Sequence, residues 1–94
     1  MTELEDIDSG DEAWERFAAL FRGQTALHAA GEALKRQLGG DEALANVILA
    51  SVGDAALGWI GQRNPALSGL SPCECLASEK TLKRLREMLL RFPR

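Results

Sequence analysis

Apolar residues recur along this chain at three- and four-residue spacing and almost nowhere at two, so the pattern predicts helices. Trp14, Phe17, Ala18 and Phe21 form the first stripe, with Ser9 or Asp11 as its cap, Glu12 in its first turn and Gly23 as its stop. A second helix is predicted from about Thr25 to Leu38, with Leu27, Ala30, Gly31, Leu34 and Leu38 on one side. Lys35 and Arg36 suit its C-terminal end, and Gly39-Gly40 breaks it.

Asp41 caps a third helix, whose stripe of Leu44, Val47, Ile48 and Ser51 is widened by Leu49 and Val52. That width predicts the most buried helix of the set. Gly53-Asp54 ends it, with Asp54 capping a short run through Leu57 to Ile60; alternatively the third and fourth runs are one kinked helix, and the pattern leaves both open. The final stripe, Leu82, Leu85, Leu89 and Phe92, is broadened by Met88, started by Ser78 and stopped by Pro93.

Between these runs lies a rigid connection. Trp59 and Ile60 close an apolar helical run, and Gly61 is placed to end it. Asn64 precedes Pro65, which pushes Asn64 out of the α region. Ser71-Pro72 reads as an N-cap followed by proline at the first helical position, opening a short helix to Leu76.

Composition agrees with helices. The chain has 94 residues, 46% hydrophobic and 5% aromatic with no tyrosine, and alanine and leucine dominate. Those two are strong helix formers, whereas strands prefer β-branched and aromatic residues, which are few and scattered here. The expected architecture is all-α, a compact bundle of five or six short helices. Its expected organisation is an acidic flexible arm (1–10), an N-terminal helical region (11–52) and a C-terminal unit (53–94).

The net charge of −3 is unevenly spread. Residues 1–15 hold seven acids and no base, while residues 79–94 hold six bases (Lys80, Lys83, Arg84, Arg86, Arg91, Arg94) against Glu79 and Glu87. Such asymmetry fits an interaction tail, a nucleic-acid face, two ends that attract each other, or simply a solvated face at each end. The last helix carries its bases between apolar positions, as any surface helix does. No aromatic is interleaved for base stacking, and residues 11–52 show no recognisable turn motif or base-rich recognition helix. Direct DNA binding is therefore not expected.

Catalytic chemistry is not expected either. His28 is the only histidine and has no partner by sequence, Ser71 and Ser78 are explained as caps, and carboxylate pairs such as Asp41/Glu42 sit at helix starts. No glycine loop of the phosphate-cradling kind is present. Cys73 and Cys75, two apart on a predicted helix, point in different directions, and one histidine supplies no zinc set. We expect no enzyme, no cofactor and no metal. Two free thiols, an acidic start without the basic region of a signal peptide, and no apolar run near 18 residues predict a cytoplasmic protein without a membrane span.

The segment 59–76 carries a resemblance. Trp59, Asn64-Pro65-Ala66-Leu67, Gly69, Ser71-Pro72, Glu74 and Leu76 resemble the toxin-binding domain of the Xre/MbcA/ParS antitoxins, in which a W(L/I)-x-x-x-N-P-A-L-x-G-x-(S/T)-P-x-(E/D)-L-L pattern precedes a final amphipathic helix. The resemblance covers roughly residues 52–92. It implies a bacterial toxin–antitoxin system, self-association, and binding of a RES-type toxin, a fold similar to ADP-ribosyltransferases that uses NAD. In that family the C-terminal region covers the toxin's active-site entrance, which makes Arg84, Met88, Arg91, Phe92 and Arg94 the expected partner-binding residues. Family members commonly continue past the last helix, whereas here little length follows it, which leaves little tail to plug a pocket. The residues themselves also allow Trp59, Leu67 and Leu76 to be core anchors, with Pro65 and Pro72 setting the turn; core is the favoured reading for all three. The competing functional reading is a stand-alone helical adaptor or transcriptional regulator, homodimeric and without a toxin.

Overall fold

In a computed structural model, which describes residues 12–92, every regular element is helical. We label the α-helices α1 (residues 12–19), α2 (Gln24–Leu27), α3 (Gly31–Gln37), α4 (Glu42–Val52), α5 (Ala56–Trp59) and α6 (Glu79–Leu90). Three 3₁₀ turns, Gly53–Ala55, Pro65–Leu67 and Glu74–Ala77, complete the described part, which contains no strand. The all-α bundle is thus as expected. The acidic arm, the proposed caps Ser9 and Asp11, the stop at Pro93 and the contact residue Arg94 lie outside the described residues.

The bundle is organised around α4. Asp41 caps it by accepting from the Leu44 N–H at 3.1 Å, and six consecutive residues, Leu44 to Leu49, are buried. A run buried on all sides marks a central helix rather than a surface one. It touches α2, α3, α5 and α6, so one core runs through both halves of the chain. Trp14 and Ala18 of α1, Leu34 of α3, Ala56 of α5 and Leu85 and Leu89 of α6 join that core, together with Leu38, Ile60, Leu67 and Cys75 from the connections.

The predicted second helix is interrupted. His28 is extended (φ −114°, ψ 139°), which separates α2 from α3, and Leu27 is 75% exposed rather than part of an apolar stripe. Two side-chain properties account for the break. The buried Asn46 of α4 accepts the Thr25 N–H at 3.1 Å, drawing α2 onto α4. Gly31 then passes so close to Thr25 that a Cβ there would stand 1.9 Å from the Thr25 carbonyl oxygen, an approach only glycine permits.

The third and fourth runs are separate helices. Gly53 ends α4 at φ 64°, a left-handed conformation that a side chain disfavours. Asp54 does not cap the fourth run: its Oδ1 lies 2.9 Å from Nδ1 of His28, whose Nε2 is 3.2 Å from Oε1 of Gln24. His28 therefore has partners that the sequence did not reveal, and it ties α2 to the end of α4.

The final helix ends at Leu90, so Phe92, expected as the last member of its stripe, lies two residues past it, and one base also departs from the expected pattern. Arg86 lies with its guanidinium 5.6 Å from the Trp14 ring centroid and 3.9 Å from Oδ2 of Asp41. It links α6 to α1 and to the cap of α4, so it belongs to the packing and not to a solvated basic face.

Candidate protein-binding groove

The turn between α5 and α6 is built around Asn64. The next residue, Pro65, holds Asn64 extended at φ −133°, ψ 125°, and from there its backbone and side chain close the loop. Its Oδ1 accepts from the Ala66 N–H at 2.9 Å, its carbonyl from Leu67 and Gly69 at 2.9 and 3.0 Å, and its own N–H donates to the Leu70 carbonyl at 3.0 Å. Ser68 (φ 59°) and Gly69 (φ 83°) then reverse the chain, and Leu67 is pressed wholly into the core.

The next residues form a reciprocal capping box. The Ser71 hydroxyl accepts from the Glu74 N–H at 3.2 Å, and Oε1 of Glu74 accepts from the Ser71 N–H at 2.8 Å. Ser71 and Pro72 are buried, and the Cys73 N–H donates to the Ile60 carbonyl at 3.0 Å, fastening the turn to the end of α5. The predicted short helix from Pro72 to Leu76 is a 3₁₀ turn, Glu74–Ala77. Ser78 caps α6 by accepting from the Thr81 N–H at 3.2 Å, and the Thr81 hydroxyl donates to the Cys75 carbonyl at 2.7 Å.

Most motif residues therefore hold the turn in shape. The core assignments divide: Leu67 is fully buried, but Trp59 and Leu76 are only partly so. Trp59 lies at the rim with its ring edge-on to Phe92, centroids 6.1 Å apart. Phe92, two residues past the end of α6, meets it there.

This turn faces α6 and the two residues that follow it across an open groove of about 550 Å³, lined by Asn64 and Ala66 on one side and Arg84, Glu87, Met88, Arg91 and Phe92 on the other. Four of the five expected contact residues thus come together, beside the central residue of the motif. Asn64 and Ala66, named for the motif, and Glu87 were not among the expected contact residues. Glu87 stands three residues after Arg84 and four before Arg91, on the same helical strip, so the spacing did contain that signal.

Within the groove, Nδ2 of Asn64 is 3.9 Å from Sδ of Met88, and Arg84 donates to the Ser68 hydroxyl. Arg91 pairs with Glu87 at 3.2 Å, one helical turn apart and largely in solvent. Such a pair contributes little to folding and leaves both groups available to a partner. The lining thus combines two guanidiniums, forks that suit carboxylates, with the apolar side chains of Met88 and Phe92.

The thiols behind the turn are not activated. Burial pushes the Cys73 thiol above its ordinary value; burial, then the Glu74 charge, raises that of Cys75, against a lowering influence from Arg84. Both cysteines are free. Among the described residues, no three His, Cys, Asp or Glu side chains are grouped to hold a metal ion, and no helix is long and apolar enough to cross a membrane. Compared with protein-family models, with curated proteins and with solved structures, the chain matches none.

Proposed function

We propose that this chain is a toxin-neutralising protein that acts by protein–protein contact, using the groove between the Asn64–Pro65 turn and α6 to bind a RES-type, NAD-using toxin. The observation that carries this reading is the convergence of Arg84, Met88, Arg91 and Phe92 on the same groove as Asn64. The motif residues that resemble the antitoxin domain fix the turn, and α6 supplies the contacts. Arg84 and Arg91 pair with acidic groups at the toxin's active-site entrance, while Met88 and Phe92 fill the apolar space between them.

The test is a pull-down of the tagged full chain from its native cell, with mass spectrometry of what stays bound. A RES-type protein recovered near one-to-one, and lost when Arg84→Glu is combined with Arg91→Glu, supports the proposal; the NAD consumption of that protein should then fall when the chain is added. Recovery of the chain alone favours a stand-alone helical dimer.

A further inference from the structure

Met88 stands where an oxidant from solution and a hydrogen-bond donor of the protein both meet its sulfur. Its side chain is half-buried in the wall of the open groove, and Sδ lies 3.9 Å from Nδ2 of Asn64 on the opposite wall. The sense of that amide is fixed by chemistry. Oδ1 of Asn64 accepts the Ala66 N–H at 2.9 Å, which only the oxygen can do, so the NH₂ end is the one turned to the sulfur. A thioether is a weak acceptor, and the contact is correspondingly loose.

One added oxygen changes this contact in kind. A sulfoxide oxygen is polar and stands one bond length off the sulfur, which brings it within reach of Nδ2 at about 2.7–3.2 Å, the ordinary range for an N–H···O bond. The step balances with a peroxide as oxidant. A lone pair of Sδ attacks one oxygen of hydrogen peroxide, and the S–O bond forms as the O–O bond breaks. The departing hydroxide takes the proton left on the transferred oxygen and leaves as water. Sulfur loses two electrons and the peroxide gains them. No proton has to leave the thioether first. The thiols of Cys73 and Cys75, by contrast, attack as thiolates, and burial before any other cause keeps them protonated.

We propose that Met88 is an oxidation site for peroxides, and that its sulfoxide, held by Nδ2 of Asn64, ties α6 to the Asn64–Pro65 turn across the groove. A methionine sulfoxide reductase reverses the change, removing the oxygen as water while two thiols become a disulfide. The sulfoxide puts a polar, chiral group where the reduced chain presents an apolar one, so oxidation releases a partner seated on Met88. That release rests on the toxin-binding reading, whereas the modification needs only the chain.

The test therefore uses the full chain alone, treated with hydrogen peroxide. Trypsin releases Met88 in a peptide of residues 87–91 that holds no other methionine and no cysteine, so its gain of one oxygen is read by mass. Met88 should be oxidised within about tenfold of its rate in the urea-unfolded chain, because exposure governs susceptibility. In ¹⁵N spectra the side-chain amide protons of Asn64 should shift by more than a linewidth as that peptide gains oxygen. They should return after treatment with the two methionine sulfoxide reductases, one for each epimer. Met88→Leu conserves the volume without an oxidisable sulfur and should show no shift under the same treatment. An Asn64 signal that stays in place while Met88 is fully oxidised overturns the proposal. The same shift in Met88→Leu overturns it too, because the thiols would then be its source. Oxidation that proceeds only in urea does so as well, since the sulfur is then closed to solvent.

Discussion

The backbone N–H of Thr25 donates to the side-chain carbonyl of Asn46 at 3.1 Å, across twenty-one residues of sequence, and both residues are buried. This bond joins the one-turn helix α2 to the central helix α4. Asn46→Leu removes the acceptor and leaves the Thr25 N–H without it in a dry site, which costs about 1–3 kcal/mol. Urea unfolding of the two proteins measures the difference. An unchanged midpoint would mean that water or another group takes over the amide.

Gly31 and Gly58 provide a paired test of close approach. A Cβ at position 31 meets the Thr25 carbonyl oxygen at 1.9 Å, whereas at position 58 nothing lies within 4 Å. Gly31→Ala is expected to destabilise by roughly 1–3 kcal/mol, as overpacking does. Gly58→Ala, inside α5, should instead stabilise by about 0.5–1 kcal/mol through reduced freedom of the unfolded chain. Thermal melts of both variants decide it, and equal effects would contradict the tight α2–α3 crossing.

Asn46 and Gly31 also mark where sequence reasoning stopped. Helix α1 stops at residue 19, leaving Phe21 in a turn, and Gly23 opens α2 instead of ending α1. Its start with Trp14, Phe17 and Ala18, the caps Asp41, Ser71 and Ser78, and the breadth of α4 are local properties, and each was legible from spacing. The break at His28 was not, because it depends on Asn46 and on a glycine that is small for a tertiary reason. Likewise the role of Arg86 depends on Trp14, seventy-two positions away, and no periodicity reveals such a partner. The groove was half legible: the turn and the helix strip could each be read, but only the fold sets them face to face.

The capping box separates the shape of the turn from its contacts. Ser71→Ala removes the acceptor for the Glu74 N–H and leaves every groove-lining residue in place. The expected loss is about 0.5–2 kcal/mol of stability. Partner affinity, measured well below the unfolding temperature by titration calorimetry, should stay close to native. In the double variant of Arg84→Glu and Arg91→Glu the order reverses, with stability nearly kept and binding lost. Equal damage from both variants would place Ser71 at the contact itself.

Stability should decline at alkaline pH because of the two thiols. Burial raises both above the ordinary value of 9.0, so the folded chain holds these protons more tightly than the unfolded one. The contribution is fully present below the unfolded value and is lost as pH rises through the folded ones. Urea midpoints should therefore be level with respect to these groups at neutral pH and fall above about pH 9. Cys75→Ala should flatten the fall, at the cost of a smaller buried side chain. A fall of the same steepness in that variant would assign it to other groups.

Leu67 and Trp59 rank oppositely by size and by burial, which makes their truncation informative. Leu67 is fully buried beneath the turn, and Leu67→Ala should cost about 2–5 kcal/mol through the lost contacts and the cavity left behind. Trp59 is larger but only partly buried, and its ring edge meets Phe92 at the mouth of the groove. Trp59→Ala is therefore expected to cost less than the ~3–5 kcal/mol of a fully buried tryptophan, because part of the ring already contacts water. It also removes the ring that Phe92 meets edge-on beside the groove. The expected signature is a modest drop in unfolding midpoint with a disproportionate loss of partner affinity. If Trp59→Ala proves the more destabilising of the two, the indole lies in the core and the groove ends short of it.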